Sequence, residues 1–123
     1  MSFKTSFFQS FVFAFSGLKT ALKEESNFKI HFGVAVFTLI LAAILGFEKL
    51  EWLILLLTIS SVLIIELVNT VIEDTLNFLH PDIHPSAKKI KDVLAAAVLI
   101  SVIFSVVIGF SLFLPKILEL IGI

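Results

Sequence analysis

Glu66, Asn69, Thr70, Glu73 and Asn77 recur at separations of three, four and seven residues. On a helix such positions share one face. They form a polar stripe on a run, from about Trp52 to Ile72, whose other residues are mostly apolar. At ~1.5 Å of rise per residue, Glu66 and Glu73 stand about 10 Å apart along the axis. Carboxylates that far apart do not share a proton, so they can serve different ends of one reaction. Glu66 falls within the apolar run or at its edge, where an ionised carboxylate costs roughly 2–3 kcal/mol or more in a bilayer. The bland explanation is a protonated Glu66 making a helix–helix hydrogen bond. Asn69 and Glu73 extend the same face and favour a working site.

A second cluster, Lys88, Lys89, Lys91 and Asp92, precedes another apolar run. Lys88 and Asp92 are four apart and could pair on the surface. Lys88 and Lys89 could equally be charge dressing beside a membrane. Lys91 and Asp92 abut the apolar run directly. A carboxylate can hold Mg²⁺ together with nucleotide phosphates. A lysine can offset charge on a transferring phosphoryl group. A second, partly desolvated carboxylate can take a proton from an attacking hydroxyl. That set suits phosphoryl transfer from ATP to a lipid alcohol. Neither a GxxxxGK loop nor a GxGxxG loop is present, so a nucleotide site here is of neither common kind.

The elements that position these residues follow from hydropathy. The chain has 123 residues, 59% hydrophobic and 15% charged, and its mean hydropathy is +1.11. One domain spanning residues 1–123 is expected, with the bilayer as its solvent. Cysteine is absent, so there is no disulfide framework, and a net charge of −1 gives no support to a nucleic-acid partner. Three apolar runs are each near the ~20 residues that cross a bilayer as a helix. They predict membrane helices over about 30–47, 52–77 and 86–114. Residues 46–51 form a short polar break, so the first two spans should be antiparallel neighbours. His80-Pro81-Asp82-Ile83-His84-Pro85 stops the second span, Ser86 is a candidate cap for the next helix, and Pro115 marks the expected end of the third span. His80 and His84 read as loop residues rather than a metal pair. Ala97, Ser101, Ser105 and Gly109 recur every four residues, a stripe that suits close helix packing.

No cleavable signal peptide is expected, because Met1 to Lys23 mixes phenylalanine with lysine and serine. Phe7, Phe11, Phe15, Leu18 and Leu22 instead recur at steps of three and four, with lysines nearby. That pattern predicts an amphipathic helix in the membrane interface over about residues 1–29. Gly17 within it could permit a close contact or a bend. Lys4, Lys19, Lys23 and Lys29 precede the first span, and Lys88, Lys89 and Lys91 lie between the second and third. Only Lys49 and Lys116 fall on the other side. The positive-inside rule then puts the N-terminus and the second loop in the cytoplasm.

The run Glu66-Leu67-Val68-Asn69-Thr70-Val71-Ile72-Glu73 resembles the signature of the small prokaryotic diacylglycerol kinase and undecaprenol kinase family. In that signature Glu is followed three positions later by Asn, then Ser or Thr, Ala, Ile and Glu. The order of elements is also similar. An amphipathic helix leads to Glu25-Ser26-Asn27-Phe28 before the first span, and His84-Pro85 and Lys91-Asp92 precede an alanine-rich start to the third. The resemblance covers nearly the whole chain.

It implies an all-α homotrimer in the bacterial inner membrane, with three membrane helices per subunit behind an interfacial helix and active sites shared between neighbours. It implies Glu66 as catalytic base, Glu73 and Glu25 as ligands of Mg²⁺, and Lys91 and Asp92 as nucleotide contacts, together with Glu73, Glu25 and Gly17. Glu66, Asn69 and Ala95 would meet the lipid alcohol. The segments Asn27 to His31 and His80 to Pro85 look more like the undecaprenol kinase branch than the diacylglycerol kinase branch.

The chain departs from the family pattern at several positions. Val71 stands for alanine, Asn77 for a common aspartate, Ile90 for alanine and Leu94 for a small residue, and no arginine is present. Two other readings compete. A small proton-coupled transporter would explain Glu66 but not Lys91 and Asp92. A purely structural membrane oligomer would leave the polar stripe without a purpose.

Overall fold

The structure, a computed structural model, describes residues 3–123, with side chains from Ser6 onward. Met1, Ser2 and the side chain of Lys4, used above for orientation, lie outside the described residues. The described chain is helical almost throughout: α1 Phe3–Glu24, α2 Ser26–Leu45, α3 Lys49–Leu79 and α4 Pro85–Leu120. The last three are long and apolar enough to cross a membrane. At ~1.5 Å per residue, α3 and α4 are about 46 and 54 Å long, well beyond a hydrocarbon core of ~30 Å. Part of each therefore extends beyond the hydrocarbon core.

Each turn has a local cause. Glu25 alone separates α1 from α2, leaving the helical region at φ −102°, ψ 108°. The first helix thus ends at Glu24, five residues before the limit expected for it, and Lys29 already belongs to α2. Gly46 closes α2 in the left-handed conformation, φ 71°, and the Phe47 amide returns to the Ala42 carbonyl at 3.1 Å. Only glycine adopts that conformation without strain, which is why the hairpin turns there. A reciprocal capping box of Glu48 and Glu51 then starts α3.

Two of the expected punctuation marks act differently. His84, not Ser86, caps α4: its Nδ1 accepts the Ser86 amide at 3.2 Å and Pro85 takes the first turn. Pro115 does not end the third span, because α4 runs on to Leu120. A proline removes one amide donor and crowds one carbonyl, which a long helix can absorb with a local adjustment.

The packed core is small. Ala42, Phe47, Leu55 and Phe113 are buried together, with the Phe47 and Phe113 rings 4.8 Å apart. At the same end Lys116 meets Glu51 at 3.1 Å, tying the end of α4 to the start of α3. Much of the rest of the apolar surface faces outwards, including Phe37, Ile44 and Phe104, as expected where lipid or neighbouring helices are the solvent. Ser105 and Gly109 of the small-residue stripe line an apolar groove of about 380 Å³ between α2, α3 and α4.

Candidate functional site

The half of α3 remote from the Phe47–Phe113 core carries the polar stripe. Glu66 is 3% exposed and Asn69 is 9% exposed, the only buried polar residues of the described chain. They lie three residues apart, so one turn of helix presents both to the same interior face. The Asn69 Oδ1 is buried without a hydrogen-bond partner. A buried acceptor of that kind costs about 1–3 kcal/mol unless a ligand satisfies it. It lies beside the one buried carboxylate, so this turn of α3 is where a donor from outside would be welcomed.

Across from Glu66 stands His31 of α2, with Nε2 3.8 Å from the Glu66 Oε2. The carboxylates of Glu73 and Glu25 also lie close enough to act on the charge of Glu66. Glu73 reaches this neighbourhood from the same helix, two turns further along. Glu25 reaches it from the break between α1 and α2, where its side chain does not cap the following helix. Its carboxylate is thus not consumed by the backbone amides that start α2. Glu73 and Glu25 thus stand within electrostatic range of Glu66 rather than in contact with it. Among the described residues, no group of three or more His, Asp or Glu side chains is disposed to hold a metal by itself.

Lys91 comes to the same end of α3. Its Nζ donates to the Asn77 Oδ1 at 2.6 Å, bridging the start of α4 to α3 one turn beyond Glu73. The position where the family pattern commonly has aspartate thus holds a neutral acceptor, so Lys91 is anchored without having its charge cancelled. Asp92 is engaged elsewhere, 2.7 Å from Lys88 on the surface, with both side chains about two-thirds exposed. Gly17 and Ala95 are exposed. A Cβ on Gly17 would meet nothing within 4 Å, and α1 passes through it without a break. His80 and His84 stack at 5.1 Å in the α3–α4 loop.

His31 is the residue that reasoning from sequence did not place in the site. It stands six residues after Glu25 on an apolar helix, and a lone histidine there carries no periodic signal. Only its position opposite Glu66 identifies it.

The chain matches the model of the prokaryotic diacylglycerol kinase family over residues 12–113. It is 38% identical over 110 residues to the undecaprenol kinase of Bacillus subtilis (strain 168), covering 89% of each chain. It is 39% identical over 97 residues to a diacylglycerol kinase of Helicobacter pylori (strain ATCC 700392 / 26695), covering 79% of this chain and 76% of the relative. A diacylglycerol kinase of Synechocystis sp. is 36% identical over 112 residues, 90% of this chain and 64% of the relative.

Proposed function

We propose a function from one premise: the chain belongs to the prokaryotic diacylglycerol kinase family. Its members are lipid kinases, and this one transfers the γ-phosphoryl group of ATP to the hydroxyl of a membrane lipid. Undecaprenol is the favoured acceptor, giving undecaprenyl phosphate. Diacylglycerol, giving phosphatidic acid, is the second reading, favoured by the relatives of that name. The observation that carries the proposal is the buried pair Glu66 and Asn69, with the unpartnered Asn69 oxygen one turn from the carboxylate.

In this reading the acceptor hydroxyl enters between Glu66 and Asn69. Glu66 takes its proton as the oxygen attacks the γ-phosphorus, and the bond to the β-phosphate oxygen breaks to release ADP. Asn69 orients the hydroxyl by donating from its amide nitrogen to the hydroxyl oxygen, which leaves the single hydroxyl proton to face Glu66. Lys91, held by Asn77, faces the nucleotide phosphates and offsets their charge. Asp92 reaches the nucleotide only by leaving Lys88, an exchange that costs little between exposed groups. Gly17 on the interfacial helix adds backbone to the nucleotide side, and Ala95 lies on the acceptor side.

Glu25 and Glu73 supply hard oxygen donors, the type that suits Mg²⁺. Two carboxylates do not complete an octahedral shell, which fits an ion shared with nucleotide phosphates and water. When bound, Mg²⁺ neutralises charge developing on the transferring phosphoryl group. The active chain is a homotrimer with sites shared between subunits; its outward apolar faces and sparse internal core support that assembly. It resides in the bacterial cytoplasmic membrane with the N-terminus and the α3–α4 loop in the cytoplasm, where ATP is. The lysine distribution supports that orientation.

The test is transfer of labelled γ-phosphate from ATP to undecaprenol and to diacylglycerol, at matched mole fraction in detergent micelles with Mg²⁺. A phosphorylated product with undecaprenol, formed faster than with diacylglycerol, is the expected result. Faster reaction with diacylglycerol reverses the choice of acceptor, and no product with either sinks the kinase reading.

A further inference from the structure

We propose that His31 is the positioning residue of this site: its imidazole holds one oxygen of Glu66 so that the other faces the acceptor hydroxyl. This rests on the reading of Glu66 as the base. The other charged groups whose field reaches Glu66, those of Glu25 and Glu73, are both acids. Among the described residues, His31 is the one basic side chain paired with Glu66. The pairing is across helices, α2 to α3, and it is specific at the atomic level, Nε2 to Oε2. A carboxylate held through one oxygen has a defined plane, which is what proton transfer to the free oxygen requires.

Burial supports the assignment. The Glu66 side chain is 4% exposed and that of His31 23% exposed, so water is largely excluded from the carboxylate and does not satisfy it freely. The 3.8 Å separation exceeds a hydrogen bond. Sites without substrate often show such loose pairs, which tighten when substrate binds.

The surroundings argue against a packing role. His31 also lines the apolar groove, together with Val34, Thr38 and Val62. An aliphatic side chain would fill that wall as well as an imidazole. What an aliphatic side chain lacks is a nitrogen aimed at Glu66.

The experiment compares full-length wild type with His31→Leu, His31→Gln and Glu66→Gln in the micellar assay, with kcat and KM for ATP measured separately. Size exclusion and thermal unfolding check assembly. The amide nitrogen of glutamine can take the place of Nε2, whereas leucine matches the groove wall and offers no donor. His31→Leu should lower kcat roughly tenfold or more, the effect of losing a hydrogen bond to a charged group. KM for ATP should stay within about twofold, and His31→Gln should recover most of the lost kcat.

Wild-type kcat in His31→Leu overturns the proposal. So does an equal loss in His31→Leu and His31→Gln, or a fall in kcat that merely tracks ATP affinity and thermal stability. If His31→Leu does not assemble, His31→Asn, whose amide is too short to reach Glu66, takes its place against His31→Gln. Glu66→Gln separates the two claims. If it turns over normally, the base reading fails and this proposal falls with it. If it is inactive while His31→Leu is fully active, only the positioning role is overturned.

Discussion

Glu66→Gln is the perturbation that isolates chemistry from binding. Glutamine has nearly the same volume and shape, so it fits where Glu66 is 3% exposed. It cannot take the proton of the attacking hydroxyl. Positioned general bases contribute about 10²- to 10⁴-fold, or about 3–5 kcal/mol of barrier, and kcat should fall by that factor. ATP should bind almost unchanged, because Glu73 lies two turns away, about 10 Å along α3 at 1.5 Å per residue.

Stability should change little for a physical reason. The amide keeps a polar group of the same shape in place, and losing the loose 3.8 Å pairing with His31 is offset by no longer burying a carboxylate. The assay pairs labelled phosphate transfer with calorimetric binding of a non-hydrolysable ATP analogue. Retention of more than about a tenth of wild-type kcat would fall below the lower end of the general-base range and refute the assignment. An equal loss of nucleotide affinity would also refute it, by moving Glu66 from the acceptor side to the nucleotide side.

Asn77→Ala should raise KM for ATP by roughly two- to fivefold with kcat nearly preserved, since it frees Lys91 from a partly exposed contact of modest worth. Steady-state kinetics at varied ATP measures this, and an unchanged KM would remove Lys91 from the nucleotide site. Lys88→Ala should leave the thermal midpoint unchanged, because both members of the Lys88–Asp92 pair are largely exposed. Lys116→Met should lower the thermal midpoint in detergent while leaving kcat intact, as Lys116 and Glu51 meet at the opposite end from Glu66. Gly46→Ala should destabilise the α2–α3 hairpin by about 1 kcal/mol, measured by unfolding, because alanine must adopt φ 71°.

The polar stripe was legible because helical periodicity is a local property. Glu66, Asn69 and Glu73 share a face whatever surrounds them, and an apolar run of span length leaves no alternative to helix. The hairpin near Gly46 and the stop at His80-Pro81 were legible for the same reason, since glycine and proline act on their own backbone. Local reading failed where a longer element overrode a local signal. Pro115 looked like a terminus, yet α4 absorbs it. Ser86 looked like a cap, yet the His84 imidazole takes that role from one residue before Pro85.

The sequence by itself determined that this is a membrane chain of long helices, with two carboxylates and an asparagine on one face of the second span. It also carried the family, because the spacing within that face is a property of one helix. Which residue of another helix meets Glu66 was decided only by the tertiary structure. The rotation of α2 against α3 places His31, and no other basic side chain of the described residues, within 3.8 Å of that carboxylate. The packing of α4 on α3 likewise gives Lys91 to Asn77, whereas the Lys88–Asp92 pair is local to α4. Periodicity sets which residues share a face of one helix. Partners between helices depend on crossing angle and axial offset, and those are settled by how all the faces pack together.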